Sequence, residues 1–161
     1  MQVATDKIIN SLSTPEVDEI EALITHLPDR RSAAIDALKI VQQHRGWISD
    51  GSLAAIACLL GMSTAALDAI ATFYNLIYRR PVGEQVILVC DSVSCWIMDG
   101  DSVCQSIQSR LQIGLGETTA DGKYTLLPVT CLGACDHAPT MMVGDTLHAD
   151  LTVERINEVF K

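Results

Sequence analysis

With 161 residues, 48% of them hydrophobic, the chain can bury one ordinary core or two small ones, and its formal charge of -9 repels phosphate backbones and anionic lipid. No Lys/Arg cluster larger than the pairs Arg30-Arg31 and Arg79-Arg80 offsets that charge, so nucleic acid is excluded as a partner. The longest apolar run, residues 53–62, is about half of the roughly 20 residues that a membrane span needs. Asp6-Lys7 stands where a secretory signal would begin an apolar block; the expectation is a cytoplasmic protein with no direct membrane insertion.

In chain order, the first ten residues show no clear period. Thr14-Pro15-Glu16 then supplies an N-cap, an early proline and an acid for the positive end of a helix. Val17, Ile20, Leu23, Ile24 and Leu27 form its apolar stripe, and Pro28 ends it. A second helix is predicted from about Ser32, with Ile35, Leu38 and Val41 inward and Gly46 as its stop. Ser49 or Asp50 caps a third that buries Leu53, Ile56, Ala57 and Leu60, stopped by Gly61; Ser63 caps a fourth with Leu67, Ile70 and Phe73 inward. These make a small helical bundle over residues 1–80, too small to bury much on its own and expected to dock on a partner.

Residues 79–83 read as a linker, and the pattern then changes. Residues 86–89 and 124–129 are short runs rich in β-branched side chains, separated by a helix-length stretch at 101–111, which makes a βαβ unit. Residues 140–143 and 146–148 flank Gly144-Asp145, a two-residue hairpin signal, and 152–160 form a closing helix capped by Thr152. The fold class is therefore α+β or α/β, a helical bundle followed by a βαβ-ββα domain over residues 84–161.

Six cysteines in a chain without a signal argue for metal or redox chemistry over a disulfide framework, because the cytosol keeps thiols reduced. Cys90 closes the first strand and Cys131 follows the second. If the strands are parallel, as a βαβ crossover requires, both emerge at one edge of the sheet. Each has a companion one short loop away, in C-D-S-V-S-C and C-L-G-A-C, so Cys90, Cys95, Cys131 and Cys135 can converge. Tetrahedral zinc accepts such knuckles. An iron-sulfur cluster accepts them too, and the C-x4-C spacing of the first loop favours it only modestly. The C-x-x-C of a thioredoxin-type dithiol is absent.

Cys58, in I-A-C-L-L, and Cys104 read as packing thiols, and His26, His44, His137 and His148 as surface or cap residues. Trp47 and the Phe73-Tyr74 pair read as core or partner anchors, with Phe73 assigned to the core. Gly114-Leu-Gly116 lacks the third glycine of a dinucleotide fingerprint. The stretch from Gly116 to Lys123 has one residue too many for a phosphate loop, with Tyr124 where Ser or Thr belongs. The chain is not expected to bind NADH, flavin or ATP itself. Asp91, Asp99, Asp101 and Asp136 surround the cysteine loops with no Lys or Arg inside them, which lowers the potential of any anionic cluster there; backbone N–H groups, Ser92, Ser94 or Thr130 would oppose that by hydrogen-bonding sulfur.

The blocks A-L-K-I-V-Q-Q-H-R-G-W, A-T-F-Y, Arg80-Pro81-Val82-Gly83, C-D-S-V-S-C and L-L-P-V-T-C-L-G-A-C-D-H-A-P resemble the thioredoxin-like 2Fe-2S subunit family of bacterial respiratory complex I, NADH:quinone oxidoreductase. The resemblance spans nearly the whole chain beyond the first ten residues. It implies a thioredoxin-like second domain holding one 2Fe-2S cluster on Cys90, Cys95, Cys131 and Cys135, with no catalytic side chain of its own. It also implies electron transfer within an NADH dehydrogenase module, with FMN and NADH on the partner subunit against which the helical part packs, other complex I subunits nearby, and a cytoplasmic location peripheral to the inner membrane. Equivalent subunits of NAD-linked formate dehydrogenases and hydrogenases share these features, and a zinc-stabilised interaction module is the non-enzymatic alternative. Pro139, in A-P-T-M-M, stands where thioredoxin-like proteins often place a cis bond; the sequence leaves the isomer open.

Overall fold

The computed structural model describes residues 11–160, so the aperiodic first ten residues lie outside it. The chain divides into two compact units, one ending at Pro81 and the other beginning at Val82.

The helical unit holds α1 (Thr14–Ile24), a 3-10 turn (Arg30–Ala33), α2 (Ala34–Arg45), α3 (Asp50–Leu59) and α4 (Thr64–Phe73). Ser13, one residue earlier than expected, is the extended residue that opens α1. The reason is Glu16, three positions on, whose carboxylate reaches back to accept from the Ser13 N–H at 2.6 Å and hydroxyl at 2.9 Å. Ser49 and Ser63 cap α3 and α4 by accepting from Ser52 N and Ala66 N, and Gly46 ends α2 in the left-handed conformation at φ 81°. Ile20, Leu38, Val41, Leu53, Ile56, Leu60 and Leu67 form the buried core. Phe73 does not join them: it is 79% exposed, with its ring edge-on to Tyr74. As the last residue of α4 it has the inward period but no neighbouring element over it. Trp47 is half-buried. Among the described residues no single helix is long and apolar enough to cross a membrane.

The second unit is a four-stranded sheet in the order β2-β1-β3-β4. Its elements are β1 (Gln85–Cys90), α5 (Val93–Ile97), α6 (Gly100–Leu111), β2 (Tyr124–Val129), a 3-10 turn (Cys135–His137), β3 (Met141–Val143), β4 (Thr146–His148) and α7 (Val153–Val159). β1 and β2 are parallel, in register from Gln85 opposite Tyr124 to Cys90 opposite Val129, while β3 runs antiparallel to β1 and β4 to β3. Ile87, Val89, Val103, Ile107, Leu126, Met141 and Ile156 fill the core under the sheet. Thr152 caps α7 by accepting from Arg155 N, as its position before the helix predicts. The Ala138-Pro139 bond is cis. Strand β2 lies at the edge and contains Pro128, and its outer side is covered by the preceding segment through Gly116 N to Leu126 O (2.7 Å), Leu126 N to Glu117 O (3.1 Å) and a Thr118–Thr125 bridge.

Candidate metal centre

The parallel pairing delivers both cysteine loops to one end of the sheet. Cys90 ends β1 opposite Val129, and Cys131 follows two residues beyond Val129. The Cys90 N–H donates to Thr140 O at 3.2 Å and the Asp91 N–H to Val129 O at 3.0 Å, which ties the start of the first loop to both neighbouring strands. Between its two cysteines the first loop winds into α5, an unpredicted five-residue helix. The sequence carries a faint signal for it, since Ser92 is followed by seven residues without Gly or Pro. Cys90 and Cys95 are buried, Cys131 and Cys135 exposed, and all six cysteines are free thiols.

In the second loop Gly133, at φ 82°, takes the left-handed conformation that lets the chain turn back, and its N–H donates to Cys131 Sγ at 3.3 Å. The Sγ atoms of Cys131 and Cys135 are 3.6 Å apart. Burial pushes the Cys90 thiol up, and the adjacent Cys95 thiol adds to this, while the N–H groups of Ser92 and Leu132 pull it down. The Cys131 sulfur pushes the Cys135 thiol up and Cys95 adds to it, whereas the Ser94 hydroxyl opposes them. Cys90 with Cys95, and Cys131 with Cys135, are thus two thiol pairs, linked through Cys95 and Cys135. Among the described residues no three or more His, Cys, Asp or Glu side chains are arranged around a single ion.

This donor set fits an iron-sulfur group. It is all sulfur and offers two thiols from each loop, matching two irons that each take two protein ligands. Backbone N–H groups already point at Cys90 and Cys131, and the Thr140 hydroxyl lies 3.7 Å from Cys95 Sγ. Asp91, Asp99, Asp101 and Asp136 are exposed around it.

The other singled-out residues lie apart from the four thiols. Cys58 is half-buried on α3, less enclosed than its apolar surroundings suggest. Cys104, half-buried on α6, packs on the second core and receives a hydrogen bond from the Gln108 amide at 3.2 Å. His137 is exposed but not idle, since its Nδ1 stands 3.2 Å from the Asp150 carboxylate. His44 faces Glu19 at 3.0 Å, and His26 is exposed. His148 ends β4.

Gly100 holds the geometry at close range: a Cβ there would stand 2.7 Å from Cys95 O and 2.9 Å from Cys95 C. Gly100→Ala is therefore expected to push α5 aside, destabilising the unit by about 1–3 kcal/mol as overpacking does and lowering bound iron per folded chain. Thermal melts together with iron analysis check this; an unchanged iron content would show that α5 has room to move.

The family model for thioredoxin-like 2Fe-2S ferredoxins matches residues 20–161. The E subunit of the NADH-quinone oxidoreductase of Pseudomonas aeruginosa is 46% identical over 159 residues, covering 99% of this chain and 95% of that one. Its counterpart in Escherichia coli is 46% identical over 150 residues, 93% of this chain and 90% of its own. Among solved structures, an NAD+-reducing NiFe hydrogenase in the H2-reduced state matches with a TM-score of 0.68 over 80% of this chain, at 22% identity; the match spans 21% of that chain. This last likeness is one of fold.

Proposed function

Because this chain belongs to the thioredoxin-like 2Fe-2S ferredoxin family, we propose that it is the electron-transfer subunit of an NADH-quinone oxidoreductase, with Cys90, Cys95, Cys131 and Cys135 as the cluster ligands. The observation that carries the assignment of ligands is the meeting of two thiol pairs at the end of two parallel strands. The cluster, when bound, stores one electron and releases it. The chain's own residues bury two of the ligands, donate N–H hydrogen bonds from Ser92, Leu132 and Gly133 to the sulfurs, and set an acidic surround that disfavours reduction. Exposure of Cys131 and Cys135 leaves one side of the centre open to a redox partner.

FMN and NADH belong to that partner in this reading, a flavin- and NADH-binding subunit. The helical unit, residues 1–80, serves as a docking element, and residues 84–161 serve as the cluster domain. Contact with other subunits of the complex keeps the chain at the cytoplasmic side of the inner membrane without insertion. Membership of a 2Fe-2S family favours the cluster over structural zinc. Identity over nearly the whole chain to subunits of NADH-quinone oxidoreductase favours that complex over a hydrogenase, whose likeness stops at the fold.

Purified protein is expected to be reddish-brown, bleached by dithionite, and to co-purify with a flavoprotein when expressed with its neighbours. A colourless chain holding one tight zinc would overturn the reading. Cys58→Ala and Cys104→Ala are expected to keep full iron and labile sulfide and to cost no more than about 1–2 kcal/mol, the scale of small core truncations. Loss of iron in either variant would reopen the ligand set.

A further inference from the structure

Four polar or charged residues are buried among the described ones: Glu16, Ser52, Thr125 and Thr140. The side chains of the first three bond to backbone groups or to other polar side chains: Glu16 to Ser13 and Arg45, Ser52 to Ser49 and Arg45, Thr125 to Gly83 N and Thr118. Thr140 is different. Its hydroxyl stands 3.7 Å from Cys95 Sγ, which is its only hydrogen-bond partner among the described residues. Its carbonyl meanwhile accepts from the Cys90 N–H at 3.2 Å, so this one residue, directly before β3, touches both cysteines of the first loop. Thr140 is 2% exposed and Cys95 1%, and Ala138 and Leu132 close around the two cysteines as apolar cover. A buried hydroxyl without a partner costs free energy. The Cys95 sulfur is what satisfies this one.

The chemistry of ligation fixes the direction of the bond. A free thiol can donate or accept, whereas a cysteine bound to iron is a thiolate and can only accept. We infer that Thr140 donates its hydroxyl hydrogen to the Cys95 sulfur and thereby raises the reduction potential of the centre, which makes it a positioning residue for electron transfer. The inference rests on the reading of Cys95 as a cluster ligand. Reduction brings one electron from the redox partner and no proton to Thr140, whose hydroxyl keeps its hydrogen in both states. The ligand sulfurs share the added negative charge, so the bond strengthens on reduction, and the difference favours the reduced form. Burial enlarges the effect, because no water competes for the sulfur and the local dielectric is low. Asp91, Asp99, Asp101 and Asp136 act in the opposite sense, but from exposed positions where solvent and salt screen them.

The test is a redox titration of the full, cluster-loaded chain, followed by the reduced-state EPR signal, with iron and labile sulfide measured on each sample. Thr140→Val keeps the shape of the side chain and removes the donor; Thr140→Ser keeps the donor and removes a methyl group. The backbone bond from Cys90 is available to both. At the parent's midpoint the ratio of oxidised to reduced chain is expected to rise about 3- to 10-fold in Thr140→Val, the scale of one hydrogen bond, which is a midpoint lower by about 30–60 mV at about 59 mV per tenfold for one electron. Thr140→Ser is expected to titrate with the parent. Equal midpoints for Thr140→Val and the parent, with full iron in both, would overturn the inference. So would a Thr140→Ser variant that titrates with Thr140→Val, because the lost methyl contact and not the hydroxyl would then set the value. Should Thr140→Val shed its iron, Thr140→Ala and Thr140→Ser form a second pair differing only by the hydroxyl, and the same comparison decides; loss of iron from Thr140→Ala as well would make Thr140 a brace for Cys95 and overturn its role in the potential. A parent chain without the 2Fe-2S signal, or a Cys95→Ala variant with full cluster content, would instead overturn the ligand assignment.

Discussion

Replacing any one of Cys90, Cys95, Cys131 or Cys135 by Ala is expected to abolish the reduced-state EPR signal and to strip iron and labile sulfide from the chain. Each iron takes two of its four ligands from the protein, so one missing thiolate leaves a metal open to water and exchange. The effect is expected to exceed the roughly 10- to 100-fold loss of affinity that follows removal of an outer partner of a metal ligand. Cys131→Ala and Cys135→Ala are the sharper pair, because both side chains are exposed and their loss leaves no cavity. Cys90→Ala and Cys95→Ala remove buried sulfurs and are expected to lower stability as well. Serine offers an oxygen ligand and is expected to retain part of the signal. Iron and sulfide per chain, with far-UV circular dichroism to confirm folding, decide the matter; a folded Ala variant with full cluster content would remove that cysteine from the ligand set.

The second large effect is expected in the helical unit, at the Glu16–Arg45 pair. Glu16 is 1% exposed. Its carboxylate accepts from Arg45 Nε at 2.5 Å and Nη2 at 2.6 Å as well as from Ser13, and Arg45 reaches on to Ser11 O at 2.8 Å and Ser52 Oγ at 3.2 Å. Burial alone would push the Glu16 carboxyl up, but the Arg45 guanidinium and the Ser13 donors outweigh it and hold the pKa at about 2, against 4.5 for an ordinary glutamate. A lowered folded-state pKa stabilises the native state above the unfolded value and stops doing so as pH falls through the folded one. The pair therefore contributes about 3 kcal/mol above pH 4.5, lost progressively between there and pH 2. Arg45→Met leaves the carboxylate buried without its cation and is expected to cost about 3–5 kcal/mol near neutrality. Urea unfolding followed by Trp47 fluorescence in a Trp96→Phe background isolates this unit, since these are the two tryptophans of the chain. Equal urea midpoints for Arg45→Met and its parent at pH 7 would show that the pair adds nothing.

Much of this is legible in the sequence. Ser49, Gly46, Ser63 and Thr152 mark helix ends by chemistry that acts within a few residues, so sequence alone is enough to find them. Strands β2 and β4 appear at the predicted residues, and parallel pairing follows from the crossover between β1 and β2. What remained hidden depends on layers. The period of α4 points Phe73 toward the core side, but only the tertiary arrangement decides whether anything lies opposite a helix's last turn. Helix α5 is a single turn and a half, too short for a period to emerge. Glu16 was visible as an N-terminal acid; its pairing with Arg45, 29 residues away, was not.

The covered outer side of β2 bears on the life of this chain before it meets its partners. Subunits of a large assembly are made one at a time, and a β-sheet with a free margin invites another chain to extend it into a fibre. Here one margin cannot be extended in that way: Pro128 has no N–H to offer, and the backbone groups of Leu126 are already engaged by the segment running through Gly116 and Glu117. The opposite margin, β4, is three residues long, too short to template a growing ladder. An unassembled copy is thus equipped to wait without polymerising, and its sheet meets other proteins through side chains instead of through its backbone.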